Sequence, residues 1–499
     1  MTASPLAVGP LGVLLVGVLL TYVVAAAPDQ ETVAGWVASL VCVVAFATTA
    51  VLATGSLPRT ASVLGSEGAV VVTHLGVLVA GIATFVGALV CVASVRFLDA
   101  GQETYYPLVV ALVAGVVGIG FAADMFTLYL SFELLAVASY ALVPFRLGRE
   151  RAVAAGTRYL IMNVVGSVLA IVGISLVYAQ SGGVLAFDAL GPALVAAEGQ
   201  LVDPLAVAVL LLVVGFGVKA AIVPLHAWLP DAYTEAPAAV SALLAGVATP
   251  AALVAIVKCL AVFPGSIPSG LLLVGFGVVT MTVGNLLALR QRELKRLLAY
   301  SSIPHIGYIV VGLGVGLYGG GVLAFDGAFF HILANALMKG GAFLAVGAIL
   351  YRLRRADPDN PGTMDSLAGV GYRMPIAAGA LVVGVLALAG VPPLAGFWGK
   401  LFIVVASAEV AGTAGIVLAL VVVANSFLSL GYYLPLLRSL FASGDESLAT
   451  LGPSPRAIAV PLVAVTTLTI VVGLVPMSGF EIVHPAAEAM ADALTGVGS

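Results

Sequence analysis

The chain has 499 residues, 62% of them hydrophobic and 9% charged, with a net charge of -4 and a mean hydropathy of +1.18. That apolar surface excludes a soluble globular domain and implies an all-α polytopic membrane protein. The charge balance holds no basic patch or stripe for nucleic acid, and three isolated cysteines (Cys42, Cys91, Cys259) form no disulfide or metal spacing. No cofactor is expected, because no cysteine cluster or nucleotide-binding loop is present.

A helix needs about 20 apolar residues to cross a bilayer core about 30 Å thick. Cutting at charges and at Gly/Pro clusters gives runs near 5–27, 33–55, 70–97, 107–122, 123–145, 153–179 and 204–229. Further runs lie near 236–264, 268–289, 297–317, 322–351, 375–408, 411–440 and 457–478, about fourteen spans in all. The first run lacks a basic leader and reads as a spanning helix, not a cleaved signal. Two runs are interrupted. In the seventh, GFGVKAAIVPLHAWLPDAYTEAPAAVSALLAG (215–246), Pro224 and Pro230 follow Lys219 closely. In the twelfth, Pro392-Pro393 with Gly396 and Gly399 break GVPPLAGFWGK ahead of Lys400. Proline removes a backbone donor and clashes with the preceding turn, so helices 7 and 12 are expected to be discontinuous. At membrane depth such breaks are tolerated only where protein or a water-filled cavity satisfies the freed groups. Paired breaks in two halves point to an inverted-repeat transporter.

Arg96, Arg146, Arg149, Arg151, Arg158, Arg290, Arg292, Lys295, Arg296, Arg352, Arg354, Arg355, Arg373, Arg438 and Arg456 all fall at odd-to-even connections; only Arg59 falls on the other side. The positive-inside rule makes those connections cytoplasmic and places both termini outside. The acidic connection 180–203, with Asp188, Glu198 and Asp203, is then on the outer side.

Lysines behave differently from arginines. Lys219, Lys258, Lys339 and Lys400 lie within apolar runs. A desolvated lysine can lose its proton, whereas arginine keeps its own. Ionisable residues inside a membrane are costly and mark ion paths by default. Glu133, in LYLSFELLAVASYAL, lies nine residues beyond Asp124, which marks the outer start of that helix. At 1.5 Å per residue it is roughly 13 Å deep, where a carboxylate needs a partner, and Lys219 is the expected one. The alternative is a static structural ion pair. His305 follows a proline on the tenth run, and His331, Asn335 and Lys339 share one face of the eleventh at i, i+4 and i+8. Glu133, Lys219, His305, His331, Lys339 and Lys400 therefore form a candidate proton relay.

The segments DMFTLYLSFELLAVASYAL, VKAAIVPLHAWLPDAYTEAPAAVSALLAG, AYSSIPHIGYIVVGLG and VPPLAGFWGKLFI, spread over 105–433, resemble the antiporter-like subunits of respiratory complex I and of Mrp cation/proton antiporters. The resemblance implies fourteen helices, with N-terminal helices 1–3 over 1–104 and inverted five-helix repeats over 105–264 (helices 4–8) and 265–443 (helices 9–13). Helix 14 and a tail occupy 444–499. It implies that Glu133 pairs with Lys219, that protons pass along a central axis to Lys400, and that the partners are other membrane subunits, protons and Na+. Lysine at position 400 is similar to the Mrp D-type and complex I N-type subunits, and DAYTEAPAAVSALLAG is closest to Mrp D. The chain ends soon after the fourteenth run, without the lateral helix of L-type subunits or the extra domains of Mrp A-type subunits. Two positions depart from the family pattern. Pro250 stands where many relatives carry lysine, and Asn335 where several carry histidine, which weakens the centre of the relay. Lys258 matches the basic residue at the end of helix 8 and is read as an anchor.

The leading expectation is thus a proton-conducting subunit of a multi-subunit Na+/proton antiporter in the cell membrane. The alternatives are a pump subunit, itself without a redox centre, of a quinone-reducing dehydrogenase, and a structural subunit that conducts nothing.

Overall fold

The computed structural model describes residues 5–27, 30–55, 60–63, 66–95, 102–145, 149–197, 202–319, 321–357, 362–443 and 456–497. Arg59, Arg96, Arg146 and Glu198, which bear on orientation, lie outside the described residues. Helix dominates, because a spanning segment in lipid must pair its own backbone groups. The chain opens with α1 (Gly9–Ala25), α2 (Glu31–Ala53) and α3 (His74–Ser94). Between α2 and α3 an antiparallel hairpin, β1 (Thr60–Val63) and β2 (Ser66–Val71), appears where no element was expected. The β-branched run Val70 to Val72 suits extended backbone.

Next come α4 (Gln102–Phe121), α5 (Met125–Leu142) and α6 (Glu150–Gln180). A short α7 (Phe187–Ala197) occupies the acidic connection, followed by α8 (Val202–Ala220) and α9 (Leu229–Glu235). α10 (Ala238–Leu243) joins α11 (Thr249–Leu260) through one π-helical turn, Leu244–Ala248. The second half holds α12 (Ser269–Ala288), α13 (Leu294–Tyr300), α14 (Ser302–Leu317) and α15 (Gly321–Ala356). It continues with α16 (Val370–Arg373), α17 (Pro375–Ala389), α18 (Ala395–Glu409) and α19 (Thr413–Leu440). α20 (Arg456–Leu474) and α21 (Pro476–Val497) close the chain. α21 is additional to the expected spans; Pro476 starts it inside the apolar run 457–478.

Eleven described segments are each long and apolar enough to cross a membrane. The three other expected runs appear as the 17-residue α1 and as the two proline-broken runs. A further interruption, at Ser301 between α13 and α14, divides the tenth run. Enclosure is uneven. Protein surrounds α15 and the α10–α11 segment almost completely, whereas α6 and α19 leave most of their surface outward. The polar stripe on α15 therefore lies along the centre of the molecule.

Asp124 and Lys258 each fix a helix end in the first half. Asp124 caps α5, accepting from Thr127 N at 2.7 Å and Thr127 Oγ1 at 2.6 Å, as its place at the helix start implies. Lys258 Nζ donates to Ile119 O, Gly120 O and Ala122 O at 3.1, 2.9 and 2.8 Å. It is an anchor, but a specific one: it closes the carbonyl end of α4, where a cation also meets the negative end of the helix dipole. Lys258→Met should therefore lower the stability of the assembled protein by about 2 kcal/mol, while Lys258→Arg should lose much less. Thermal melting of the two purified variants checks this; equal melting would mean that the carbonyl cap contributes nothing.

Candidate proton-transfer site

The first break is satisfied group by group. α8 ends at Ala220, and Ala221 turns the chain with φ +55°. Trp228 Nε1 donates to Val218 O at 2.7 Å, and the Val223 amide donates to Thr280 Oγ1 on α12 at 3.0 Å. Trp228 also stacks on Tyr159 of α6, centroids 4.3 Å apart. α8 lies directly against α6 because Gly215 has no side chain: a Cβ there would be 2.6 Å from Ala170 N. One turn later, that approach brings the Lys219 ammonium onto the Tyr159 hydroxyl, to which it donates a hydrogen bond.

Glu133 and Lys219 face the same helix but do not form the direct ion pair expected. Glu133 Oε1 accepts a hydrogen bond from Ser167 Oγ, and that oxygen also lies 2.8 Å from Tyr129 Oη. Among the described residues neither Glu133 nor Lys219 has an oppositely charged group within ion-pair distance. α6 supplies the intervening hydroxyls: Tyr159, Asn163 and Ser167 follow one another at i, i+4 and i+8 on its buried face. This is the spacing of His331, Asn335 and Lys339 on α15, so the signal for Tyr159 and Ser167 was present in the sequence. That pattern carries no charge, so the cost of burying an ion does not point to it.

The second break closes differently. Gly390 takes φ +83°, which favours glycine, and lets Val391 N reach Leu386 O and Gly390 N reach Ala387 O, at 3.1 and 3.0 Å. The next two carbonyls of α17, Leu388 O and Ala389 O, accept from Lys400 Nζ at 3.0 and 3.3 Å, and Ser426 Oγ of α19 is 3.2 Å from the same nitrogen. Lys400 is 4% exposed and lies 4.9 Å from the centre of the Tyr308 ring. Tyr308 in turn flanks the two buried histidines, whose rings stack at 5.2 Å with His305 Nδ1 3.0 Å from His331 Nε2. α18 reaches His331 at Gly399, where a Cβ would lie 2.9 Å from the His331 Cβ.

Lys339, wholly buried, donates to Leu298 O at 3.0 Å and to Ser301 Oγ at 2.7 Å, at the interruption between α13 and α14. Lys295, read from sequence as part of the cytoplasmic rim, also turns inward and donates to Ala236 O just beyond α9. Asp231 of α9 accepts from Arg158 and Arg296 at 2.9 Å each, tying that short helix to both halves.

The structure thus gathers His305, His331 and Lys400 around Tyr308, and Lys339 at Ser301 four residues before His305. Glu133 of α5 and Lys219 of α8 form a separate group against α6. Aromatic rings run between the groups: Trp228 to Tyr233 at 6.2 Å and Tyr233 to Phe343 at 5.9 Å.

The two departures prove to be one feature. Across the π-helical turn each amide reaches back five residues, as Thr249 N does to Leu244 O. Position 250 should therefore donate to Ala245 O, and proline cannot. Asn335 Nδ2 donates to Ala245 O at 3.0 Å instead. Asparagine on α15 supplies the donor that Pro250 lacks.

Helices broken around buried lysines, beside a central helix carrying histidine and lysine, define a membrane subunit of the antiporter-like class. Residues 122–429 match the NADH:quinone oxidoreductase/Mrp antiporter transmembrane family, and the chain belongs to it. It is 36% identical over 455 residues to NADH-quinone oxidoreductase subunit N of Salinispora tropica, covering 83% of this chain and 84% of that one. It is 33% identical over 411 residues to F(420)H(2) dehydrogenase subunit N of Methanosarcina mazei, covering 81% of each. The fold matches a chain of the archaeal membrane-bound sulfane sulfur reductase with TM-score 0.85 at 25% identity, covering 99% of each. It matches a chain of the Mrp complex from Dietzia sp. with TM-score 0.85 at 24% identity, again covering 99% of each. For respiratory complex I from Thermus thermophilus the TM-score is 0.77 at 26% identity, covering 95% of this chain and 99% of that one.

The Pro250–Asn335 compensation has a measurable signature. Asn335→Ala should cost about 1–3 kcal/mol by orphaning Ala245 O. In a Pro250→Ala background, where the amide returns, the same change should cost less than half as much. Additive losses in that double-mutant cycle would refute the compensation.

Proposed function

We propose that this chain is a proton-conducting subunit of a membrane-bound respiratory complex of the quinone-reducing type. The observation that carries this reading is the match, over about four-fifths of the chain, to relatives named as N subunits of an F(420)H(2) dehydrogenase and of an NADH-quinone oxidoreductase. It favours the dehydrogenase-type alternative over the Mrp D closeness expected from the motif. A Na+/proton antiporter subunit is the second reading, supported by the family description, which names the Mrp antiporter beside NADH:quinone oxidoreductase.

The chemistry is proton transfer through side chains. On Glu133, the Ser167 hydroxyl can accept one proton while donating another. Lys219 can release a proton to the Tyr159 hydroxyl side and keep two N–H donors as a neutral amine. Lys400 keeps two donors after deprotonation, enough for Leu388 O and Ala389 O, so releasing a proton does not orphan the helix end. His305 and His331 link this group through exchangeable ring nitrogens. The inverted repeats over 105–264 and 265–443 belong to this proposal, as do a cell-membrane location and termini on the outer side. The membrane partners are the other subunits of the complex.

Purification of the tagged complex with proton uptake measured after reductant and quinone, against uptake driven by a Na+ gradient, separates the two readings. In the active assay Glu133→Ala and Lys400→Ala should abolish translocation with assembly intact, and Lys400→Glu should retain part of it. Normal translocation by Glu133→Ala would reduce its hydroxyl cluster to a structural contact. Lys258→Arg should work and Lys339→Arg should fail, because arginine cannot release its proton; the reverse would move the proton route to α11. Orientation is checked with an impermeant thiol reagent on intact cells. Cysteine in place of the exposed Asp188 should label, and in place of the exposed Asp365 should not.

A further inference from the structure

One titratable series lies outside the groups above. Asp326, in the first turns of α15, is 2% exposed and sits at the end of that helix opposite Arg352, Arg354 and Arg355. Both of its carboxyl oxygens lie 3.1 Å from His484 Nδ1 on α21. The other ring nitrogen, His484 Nε2, lies 3.1 Å from Glu488 Oε1. Side-chain exposure rises along the series, from 3% at Asp326 to 34% at His484 and 57% at Glu488. A carboxylate, an imidazole and a second carboxylate therefore lead from the interior of a spanning helix to its surface.

The arrangement suits proton exchange. An imidazole with a carboxylate on each nitrogen can take a proton at Nε2 from the Glu488 side and release one at Nδ1 to Asp326. The reverse transfer uses the same atoms. Five residues further along α15, about 7.5 Å by helix rise, lies His331, whose Nδ1 is buried without a hydrogen-bond partner among the described residues. Aromatic rings pack in series from His484 back to the neighbour of His331: Phe480 stacked on His484 at 4.6 Å, Phe402 against Phe480 at 6.1 Å, and Phe330 against Phe402 at 5.8 Å. A buried carboxylate serving only to hold α21 would carry a desolvation penalty that an amide would avoid.

We propose that Asp326, His484 and Glu488 form a proton-exchange port joining water at this end of α15 to the buried His305–His331 pair. The port rests on the proton-conducting reading. Asp326→Asn and His484→Gln keep hydrogen-bonding side chains of similar size but cannot pass a proton. In the assembled complex each should slow proton translocation on the order of 10-fold or more. The acid-minus-alkaline infrared difference spectrum of the parent complex should contain a carboxyl band that Asp326→Asn removes. Parental translocation by both variants, or an unchanged carboxyl band, would overturn the port and leave the contact as an anchor for α21. Should Asp326→Asn fail to assemble, His484→Gln, at a partly exposed position, decides. Glu133→Ala and Lys400→Ala in the same preparations separate the two hypotheses: if they too translocate normally, the proton-conducting reading falls, not the port alone.

Discussion

The structure depends on ammonium groups placed against main-chain carbonyls where helices stop. Four of the five lysines do this: Lys258 at the end of α4, Lys295 beyond α9, Lys339 at the α13–α14 interruption and Lys400 at the end of α17. A helix ending at membrane depth leaves carbonyls that lipid cannot satisfy. A buried ammonium faces the complementary problem, and the dipole at a helix C-terminus favours its charge. Each defect offsets the other, which allows irregular backbone and buried cations to coexist inside an apolar bundle. Lys219 is the exception, resting on a tyrosine hydroxyl at the end of its own helix.

Lysine suits such places. The carbonyls at a helix end are closely grouped acceptors that a compact ammonium reaches with several N–H bonds. At Lys400, with two carbonyl acceptors, losing one proton still leaves enough donors to hold the helix end together. A titration event can thus alter local charge without unravelling backbone, a property the planar and permanently charged guanidinium lacks.

Much of this was legible in the sequence. The apolar runs, the two proline breaks and the burial of His305, His331, Lys339 and Lys400 follow from patterning and from the cost of placing charge in lipid. The direct pairing of Glu133 with Lys219 did not survive, because matched depth says nothing about what stands between two helices, and α6 puts hydroxyls there. The Ser301 interruption has its cause in Pro304, whose ring clashes with the carbonyl four residues back at Tyr300, the last residue of α13, so this break too was legible. Pro250 and Asn335 looked like separate losses because they lie 85 positions apart in the chain; only the π-helical register shows that one supplies what the other removes. α21 begins at Pro476 inside a continuous apolar run, and its own signal is the amphipathic stripe Glu481, His484, Glu488 and Asp492, which is too polar for a spanning segment.

The amide of Val223 finds its partner on α12, and the carbonyl of Ala236 finds its own on α13. Both partners belong to the second half of the chain and leave the ribosome later. During synthesis the first half therefore enters the bilayer with its central break incomplete, and remains so until the next two helices arrive. Insertion machinery that shelters polar backbone would have to retain α8 to α11 over that interval. The order of translation makes the second half a folding partner of the first as well as its structural neighbour.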